Sequence, residues 1–266
     1  GSEEAAYLSG EGRAVMKNDL ISIVMPVYNA SAYLEKTVET VRRQTCTSWE
    51  LIAVDDCSTD DSFQVLQRLA GEDARIRPVR QEGNQGAAAA RNRGVALAEG
   101  RYLAYLDADD LWTKTKLEKE LAFLKEKQAA FAFTGYEFGD SEGVGNGKVV
   151  HVPETLTYKK ALSRTVIFTT TVLFDLEKIS KDLVSMPRVK SEDTATWWRI
   201  LRNGYTAYGL DENLAVYRRP ASSLSSNKLE AIRRIWHLYR KQEKLSLPVS
   251  AWHFCFWAWR AVARRV

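Results

Sequence analysis

Residues 102–110 read YLAYLDADD, an apolar run that ends in a cluster of three aspartates. The apolar part has the length and composition of a buried strand. In an extended chain alternate residues point the same way, so Asp107 and Asp109 share a face. Two close carboxylates repel each other unless a proton or a cation lies between them, and their hard oxygen atoms suit Mg²⁺ or Mn²⁺. The stretch therefore predicts a divalent metal site at a strand end; a solvated acidic turn ahead of a helix near Thr113 is the alternative.

Strand and helix patterns alternate upstream of this stretch. The strand patterns are 20–27, 51–54 and 76–79, and the helical patterns are 31–44, 58–69 and 86–98. Ser58 and Asp61 form a capping-box pattern that would begin the second of these helices. Such alternation implies βαβ units. The expected fold class is α/β, with a mostly parallel sheet flanked by helices and the polar clusters at the edge where such sheets bind ligands.

The second half of the chain is less regular. Residues 140–147 are rich in glycine and acidic side chains and predict an exposed turn or mobile loop. Helices are expected at 191–202 and 228–244, and short strands at 206–209 and 214–217.

Two more polar clusters follow strand patterns. Asp55 and Asp56 come after the second strand, where a carboxylate can accept hydrogen bonds from a base or from ribose hydroxyls; helix capping is the alternative. Asn84 and Gly86 open the alanine-rich helix that carries Arg91. Glycine lets a backbone approach a ligand closely, and a helix N-terminus favours phosphate, which Arg91 would also reach. The alternative is a closely packed helix with a solvated arginine.

Four segments together resemble the family-2 glycosyltransferases. They are Pro26-Val27-Tyr28-Asn29, Asp55-Asp56-Cys57-Ser58-Thr59-Asp60, Asn84-x-Gly86 with Arg91-Asn92, and Asp107-Ala108-Asp109-Asp110. The resemblance covers about residues 20–225 and implies the GT-A (Rossmann-like) fold, inverting chemistry and the bacterial surface-polysaccharide type of enzyme. It implies a nucleoside pocket at Pro26, Val27 and Asp56, ribose near Asp107 and a metal on Asp109. The full donor-binding and metal set expected on this basis is Pro26, Val27, Tyr28, Asn29, Asp55, Asp56, Asn84, Gly86, Arg91, Asp107, Ala108, Asp109, Arg218 and Arg219, with Mn²⁺ or Mg²⁺ on Asp109 and Asp107.

The same resemblance assigns a general base to the acidic pair Glu192-Asp193, with Asp193 as the base itself. Without it, acidic residues in a first helical turn are explained by the helix dipole. Trp197 and Trp198 follow in the same helix and are candidates to stack on an acceptor sugar, although a tryptophan on a helix is also a common core residue.

Residues 217–225, YRRPASSLS, resemble a family segment that closes over the diphosphate. Arg218 and Arg219 suit phosphate oxygens, and a solvated basic loop is the alternative. Pro220 stands where many relatives have histidine, which removes one expected ligand for the metal or the diphosphate.

Composition limits the remaining possibilities. A net charge of +4 over 266 residues does not indicate a nucleic-acid partner. The three cysteines are widely spaced and form no CxxC pair, which favours a reducing, cytoplasmic location over a disulfide framework. Residues 1–15 begin Gly-Ser and look like a cloning remnant, so we expect a catalytic domain over 16–225, with its nucleotide part at about 20–110 and its acceptor part at about 111–225.

The C-terminal extension, residues 226–266, is basic and aromatic. From Lys228 onward it holds nine Lys/Arg against two Asp/Glu, and four of the eight tryptophans. Wound as a helix, it has one stripe through Trp252, Phe256, Trp259 and Ala263, and a second stripe through His253, Arg260 and Arg264. This composition predicts an interfacial helix on an anionic membrane; a helix packed on the domain or in a homodimer is the alternative.

The predicted reaction is non-processive, metal-dependent transfer of a sugar from a nucleoside-diphosphate sugar, with UDP favoured, to a hydroxyl of a glycan or polyprenyl-linked glycan. Two other classes stay open: a nucleotidyltransferase, and a non-catalytic module that binds sugar nucleotides or glycans. The first usually has a glycine-rich basic loop after strand one, where this chain has Tyr28-Asn29-Ala30-Ser31.

Overall fold

The computed structural model describes residues 17–218 and 228–263. The strands are β1 (Lys17–Val27), β2 (Trp49–Asp55), β3 (Ile76–Arg80), β4 (Gly100–Tyr105), β5 (Leu111–Trp112), β6 (Phe131–Gly139), β7 (Gly145–Val150), β8 (Thr155–Leu156), β9 (Val172–Asp175) and β10 (Ala207–Arg218). The helices are α1 (Ser31–Arg42), α2 (Ser62–Glu72), α3 (Ala87–Leu97), α4 (Lys116–Glu126), α5 (Tyr158–Ala161), α6 (Lys181–Val184), α7 (Glu192–Arg202), α8 (Lys228–His237) and α9 (Leu247–Ala263). The predicted remnant at 1–15 lies outside the described residues.

The described strands form one sheet in the order β3-β2-β1-β4-β9-β6-β10-β5, with β7 beside β6 and β8 beside β10. The first four strands of this order pair in parallel, as predicted. Strand β9 then runs antiparallel to both β4 and β6, so it joins the two halves of the sheet. The carboxyl ends of β1, β2 and β4 lie at one edge, which places the three polar clusters together.

Three local predictions need correction. Helix α2 begins at Ser62, because the Ser58 hydroxyl accepts a hydrogen bond from the Asn29 backbone N–H instead of capping α2. The carboxylate of Asp60 accepts the Ser62 N–H at 2.9 Å in its place. The two short strands expected at 206–217 are one strand, β10, whose register shifts relative to β6 hide its continuity from a simple alternation pattern. The loop expected at 140–147 is a turn that leads into β7.

Helix α3 packs unusually close to β1. A Cβ atom added to Gly94 would lie 2.4 Å from a methyl carbon of Val24, so only glycine permits this approach. Arg91 stands one turn earlier on α3 and is thereby held against the sheet, at 6% exposure.

Helix α9 turns its apolar stripe outward, with Trp252 65% and Trp259 67% exposed. The second stripe faces the protein: the ring of His253 is buried against the Ser163 hydroxyl, and Arg260 donates to the Ser163 carbonyl. For these two residues the contacts agree with the alternative in which this face of the helix packs on the domain, and Arg264 lies outside the described residues. Within the described residues, no helix is both long enough and apolar enough to cross a bilayer.

Helix α4 carries an ion pair that is closed off from solvent. Lys116 Nζ lies 2.7 Å from Glu120 Oε2, and both side chains are fully buried. The ammonium group also lies 4.2 Å from the centroid of the Trp112 ring. Burial lowers the pKa of Lys116 and raises the pKa of Glu120 to about 7, because the interior disfavours the charged form of each group.

We expect Lys116→Met to lower the free energy of unfolding by about 3–5 kcal/mol, because it leaves Glu120 buried without its partner. The double variant Lys116→Met/Glu120→Leu removes both buried groups and should lose less. Urea unfolding measures both losses. The control is Lys119→Met, also on α4, which breaks an exposed ion pair with Glu212 of β10 and should change the free energy of unfolding by no more than about 1 kcal/mol. Equal losses in the single and double variants would contradict this account.

Candidate active site

A cleft opens at the edge of the sheet where β1, β2 and β4 end. Since these strands run parallel, the loops that follow them meet at this edge. The cleft has a volume of about 420 Å³ and is lined by eleven of the residues that the sequence singles out. They are Pro26, Val27, Tyr28, Asn29, Asp56, Asn84, Gly86, Arg91, Asp107, Ala108 and Asp109. The separate motifs thus form one site, and the ligand of each residue stays a prediction.

Four described residues around the cleft have left-handed backbone. The φ angle is 49° at Asn29, 63° at Cys57, 88° at Gly86 and 58° at Ser191, and each residue stands in a loop next to β1, β2, α3 or α7. A non-glycine residue in a sparsely populated region costs roughly 1–3 kcal/mol and persists only where its surroundings fix it. The Asn29 side chain accepts the Thr59 N–H at 2.9 Å, so the loops after β1 and β2 hold each other in place.

Asp56 is buried, and its carboxylate is engaged by the loop that starts α3. Its Oδ1 accepts from the Gln81 side chain at 2.6 Å and from the Gln85 N–H at 2.8 Å, and its Oδ2 accepts from the Gly86 N–H at 2.7 Å. A carboxylate has about four lone-pair sites, so Asp56 retains capacity for a ligand in the cleft. In the fold, these hydrogen bonds hold the loop ahead of α3 against the end of β2.

The three aspartates after β4 share a poorly solvated position. Burial, followed by the neighbouring charge of Asp107, raises the pKa of Asp109 to about 6. Burial also raises the pKa of Asp110 well above its usual range, with Asp107 and Asp109 adding to the effect. The cluster therefore holds more negative charge than its surroundings stabilise.

This cluster fits a divalent cation. Asp107 and Asp109 line the cleft, offer hard oxygen atoms and repel each other, which are the properties that Mg²⁺ or Mn²⁺ would satisfy. The described residues contain no group of three or more His, Cys, Asp or Glu side chains arranged as a complete metal site. Mg²⁺ commonly takes only one or two carboxylates and completes its shell with water and substrate phosphates.

Arg91 joins the two halves of the site. Its guanidinium Nη2 lies 2.6 Å from Asp107 Oδ1, and its Nη1 lies 3.2 Å from Glu192 Oε1. Burial alone would lower the pKa of Arg91, but Asp107 and Glu192 reverse this and raise it. Arg91 was expected to reach a phosphate; here it bridges an acidic residue after β4 and one at the start of α7.

Asp193 is half-buried beside this bridge. Its Oδ1 accepts the backbone N–H of Thr194 at 2.6 Å. Burial raises the pKa of Asp193, and the negative charge of Glu192 raises it further. A carboxylate whose pKa is raised toward neutrality is a better proton acceptor at the pH where it is ionised.

Asp110 points away from the cleft and organises a buried network. Its Oδ2 accepts from the Thr170 hydroxyl at 2.6 Å, and its Oδ1 accepts from the Arg218 N–H at 3.2 Å. The Arg218 guanidinium is 2% exposed and lies 4.9 Å from the centroid of the Tyr33 ring. In the part of the chain that the structure describes, its Nε and Nη2 have no hydrogen-bond partner. Arg219 lies outside the described residues.

Asp55 does not reach the cleft. Its side chain is fully buried, its Oδ2 accepts the Ser58 N–H at 3.2 Å, and the same oxygen lies 3.4 Å from Arg80 Nε. The prediction that it binds nucleotide is corrected to a structural role beneath the loop, because the strand alternation directs Asp55 and Asp56 to opposite sides.

Trp197 and Trp198 are core residues, at 3% and 1% exposure. Trp197 packs among the rings of Tyr105, Phe131 and Phe174, and Trp198 stacks on Tyr239 at 5.3 Å between ring centroids. Neither ring offers a face to a sugar, so their assignment as acceptor contacts is wrong.

Two residues of the site escaped sequence analysis. Tyr33 lines the cleft from α1. It directly precedes Leu34, a core residue of that helix, and no sequence motif marks it as a ligand-binding residue. Thr170 accepts the Asp107 N–H at 3.2 Å and donates to Asp110, from a short 3-10 turn at Thr169–Thr171. A run of threonines has no strand or helix period, and only the folded chain brings it to the aspartates.

Comparison with known proteins places these features in a family. Residues 22–175 match the family model described as Glycosyl transferase family 2. The glycosyltransferase TuaG of Bacillus subtilis, named for teichuronic acid biosynthesis, is 44% identical over 248 residues, which cover 93% of this chain and 98% of TuaG. The Escherichia coli protein WfgD, a UDP-Glc:alpha-D-GlcNAc-diphosphoundecaprenol beta-1,3-glucosyltransferase, is 35% identical over 223 residues, covering 83% of this chain and 85% of WfgD.

Two solved structures share the fold. Staphylococcus aureus TarS 1-349, in complex with UDP-GlcNAc, aligns with a TM-score of 0.66 at 20% identity over 90% of this chain and 70% of that one. The mannosyltransferase PcManGT of Pyrobaculum calidifontis, in complex with GDP-Man and Mn²⁺, aligns with a TM-score of 0.68 at 19% identity over 91% of this chain and 74% of that one. At this level of identity the likeness supports the GT-A fold alone.

We expect Asp109→Asn to stabilise the metal-free protein at pH 8 by roughly 1–3 kcal/mol. A carboxyl whose folded pKa is raised from 3.8 to about 6 contributes stability that is lost as pH rises through that range, and asparagine avoids this loss. Thermal unfolding at pH 5 and pH 8, with and without Mn²⁺, measures it. Wild type should gain from Mn²⁺ at pH 8 and the variant should not. Asp182→Asn, at an exposed aspartate of α6, is the control; an unchanged Mn²⁺ response in Asp109→Asn would refute the metal assignment.

Proposed function

The chain belongs to glycosyl transferase family 2 and is a glycosyltransferase of GT-A fold. From that premise we propose that it transfers one sugar from a UDP-sugar to a hydroxyl of a lipid-linked glycan, and that the transfer inverts the anomeric configuration. One observation carries the proposal. Arg91 bridges Asp107, at the nucleotide cleft, and Glu192, beside Asp193 at the start of α7. A donor site and a proton acceptor are thereby held on either side of one buried cation.

The donor end of the proposal rests on the cleft. Asp56 and Asp107 would accept hydrogen bonds from base and ribose, and the loop at Gly86 leaves the N-terminus of α3 open to phosphate. Arg218 has two buried nitrogens without partners among the described residues, which supports a role toward the diphosphate. UDP is favoured because WfgD is named for UDP-Glc and TarS carries UDP-GlcNAc.

Asp109, together with Asp107, would hold the divalent metal. When bound, Mg²⁺ or Mn²⁺ neutralises negative charge on a diphosphate leaving group. The rest of the charge control falls to side chains of the chain itself: Arg91 balances Asp107, and Arg218 lowers the cost of ionising Asp109.

The proposed reaction is one displacement at the anomeric carbon. Asp193 takes the proton from the acceptor hydroxyl, whose oxygen forms the new glycosidic bond as the bond to the diphosphate oxygen breaks. The nucleoside diphosphate leaves with that electron pair, and a single displacement inverts the anomeric configuration. The transition state has oxocarbenium character, as in other glycosyl chemistry.

The acceptor is inferred from relatives and from the C-terminal helix. WfgD is named for a diphosphoundecaprenol-linked acceptor and TuaG for a cell-surface polymer, so a polyprenyl-diphosphate-linked glycan is the acceptor class that we propose. Such an acceptor lies in a bilayer, which requires the enzyme to work at the membrane surface.

Helix α9 is the element that we propose docks on the inner face of the cell membrane. Its outward face presents Trp252, Phe256 and Trp259 and no charged side chain among the described residues of that face. Lys159 and Lys160 on α5, and Lys241 and Lys244 just before α9, are exposed. Tryptophans on an apolar helix face, together with exposed cations on adjoining segments of the chain, suit an anionic lipid surface.

We expect Asp193→Asn to lose about 10²–10⁴-fold in turnover, the usual contribution of a general base, while UDP binding persists. Transfer of labelled sugar from UDP-glucose or UDP-GlcNAc to a synthetic lipid-diphosphate-linked GlcNAc, with Mn²⁺ present, is the assay. Because burial raises the pKa of Asp193, wild-type turnover should fall on acidification at a higher pH than it would with an aspartate of ordinary pKa as the base. Asp182→Asn is the matched control. Near-normal turnover by Asp193→Asn would place the base elsewhere, and release of pyrophosphate would indicate a nucleotidyltransferase instead.

We expect the full-length double variant Trp252→Ser/Trp259→Ser to lose about tenfold or more in partition onto vesicles, because two exposed indoles no longer enter the interface. Co-sedimentation with vesicles of phosphatidylglycerol and phosphatidylcholine measures it, and pure phosphatidylcholine should bind less. Val144→Ser, at an apolar residue that is exposed on the β6–β7 turn, is the control. Equal partition of wild type and double variant would reject docking through α9.

A further inference from the structure

One short segment connects the C-terminal helix to the acidic cluster. Residues 163–170, hereafter the connecting segment, run from α5 to the 3-10 turn that precedes β9. Apart from that turn they contain no regular secondary structure, so their position depends on side-chain contacts.

The inward face of α9 holds the first half of the connecting segment. The His253 ring nitrogen Nδ1 lies 2.7 Å from the Ser163 hydroxyl, and Arg260 donates to the Ser163 carbonyl at 2.9 Å. The Trp257 indole N–H donates to the Thr165 hydroxyl at 3.1 Å. These three side chains of α9 face the protein, and each of them bonds one of two residues of this loop.

The far end of the segment is Thr170, which belongs to the site. It accepts the Asp107 N–H, donates to Asp110, and its carbonyl accepts the Trp112 indole N–H at 2.8 Å. Thr165, Val166 and Ile167 of the segment line a small pocket together with Thr194, the residue after the proposed base. The segment thus borders both the aspartates and the first turn of α7.

We propose that α9 is a positioning element for the acceptor side of the site, acting through the connecting segment. The inference rests on the proposed function, in which α7 supplies the base. The outward face of α9 would dock on a bilayer. Its inward face would position the connecting segment, which lies between Asp193 and the aspartates that follow β4. Trp257, His253 and Arg260 are positioning residues on this account, since none of them lines the nucleotide cleft.

The donor-binding cleft should be unaffected by changes in the connecting segment. The cleft residues of β1, β2 and α3 are fixed by contacts among their own loops, such as those of Asn29 and Asp56. Loosening the connecting segment should therefore weaken acceptor use while UDP binding is retained.

The Trp257–Thr165 hydrogen bond is the most conservative point to test. Trp257→Phe keeps an aromatic ring but removes the indole N–H, and Thr165→Val replaces the hydroxyl by a methyl group, so each variant removes this bond from one side. We expect each to lower kcat/KM for the lipid-linked acceptor about 3–10-fold, the effect of one lost hydrogen bond, while the Kd for UDP with Mn²⁺ stays within about twofold. The double variant should lose little more than either single variant, because both act on the same bond.

The controls separate the possible failures. Trp49→Phe removes a buried indole whose N–H has no partner among the described residues, and it corrects for general loss of stability. If the wild-type protein transfers no sugar, the proposed function is contradicted, and the positioning role of α9 in that reaction is contradicted with it. If wild type transfers sugar and the Trp257 and Thr165 variants match Trp49→Phe, or if their losses add, the positioning role of α9 is overturned. A parallel rise in the Kd for UDP would also overturn it, since the effect would then lie on the donor side.

Discussion

The concentration of carboxylates after β4 is the constraint on which the rest of the site depends. Asp107, Asp109 and Asp110 stand within four residues of one another, in surroundings that raise the pKa of the last two. Such a cluster is stable in a folded chain only if buried donors and cations are brought to it. Arg91 from α3, the hydroxyl of Thr170 and the backbone N–H of Arg218 meet this need, so three distant parts of the chain must converge on one strand end.

That convergence explains features that would otherwise look unrelated. Gly94 lets α3 approach β1 closely enough for Arg91 to reach Asp107, and the left-handed backbone at Ser191 turns the chain into α7 so that Glu192 meets the other side of the same guanidinium. The charge balance therefore links the strand end after β4 to the first turn of α7. Arg91 is the buried cation between the acidic groups of these two elements.

The sequence predicts what depends on local pattern. Strands β1 to β4 and the polar clusters at their ends follow from apolar runs and their spacing, and the cleft contains most of the residues expected there. It does not predict what depends on the third dimension. Asp55 and Asp56 are neighbours with opposite directions, Trp197 and Trp198 look alike whether they face a sugar or the core, and Thr170 has no periodicity to mark it. Ser58 satisfies a capping pattern, yet the neighbouring loop offers its hydroxyl a different donor.

The C-terminal helix shows how contacts with one loop accompany the exposure of the opposite helix face. A helix with an aromatic stripe and a polar stripe is usually expected to turn the aromatic side inward. Here Trp252 and Trp259 face outward, whereas the inward face packs Phe254 and Trp257 on the core and hydrogen-bonds Ser163 and Thr165 through His253, Trp257 and Arg260. The polar stripe is thereby used inside the fold, and the indoles of Trp252 and Trp259 are left in water unless a second apolar phase covers them. These inward contacts thus leave the opposite face of the helix free to meet a membrane.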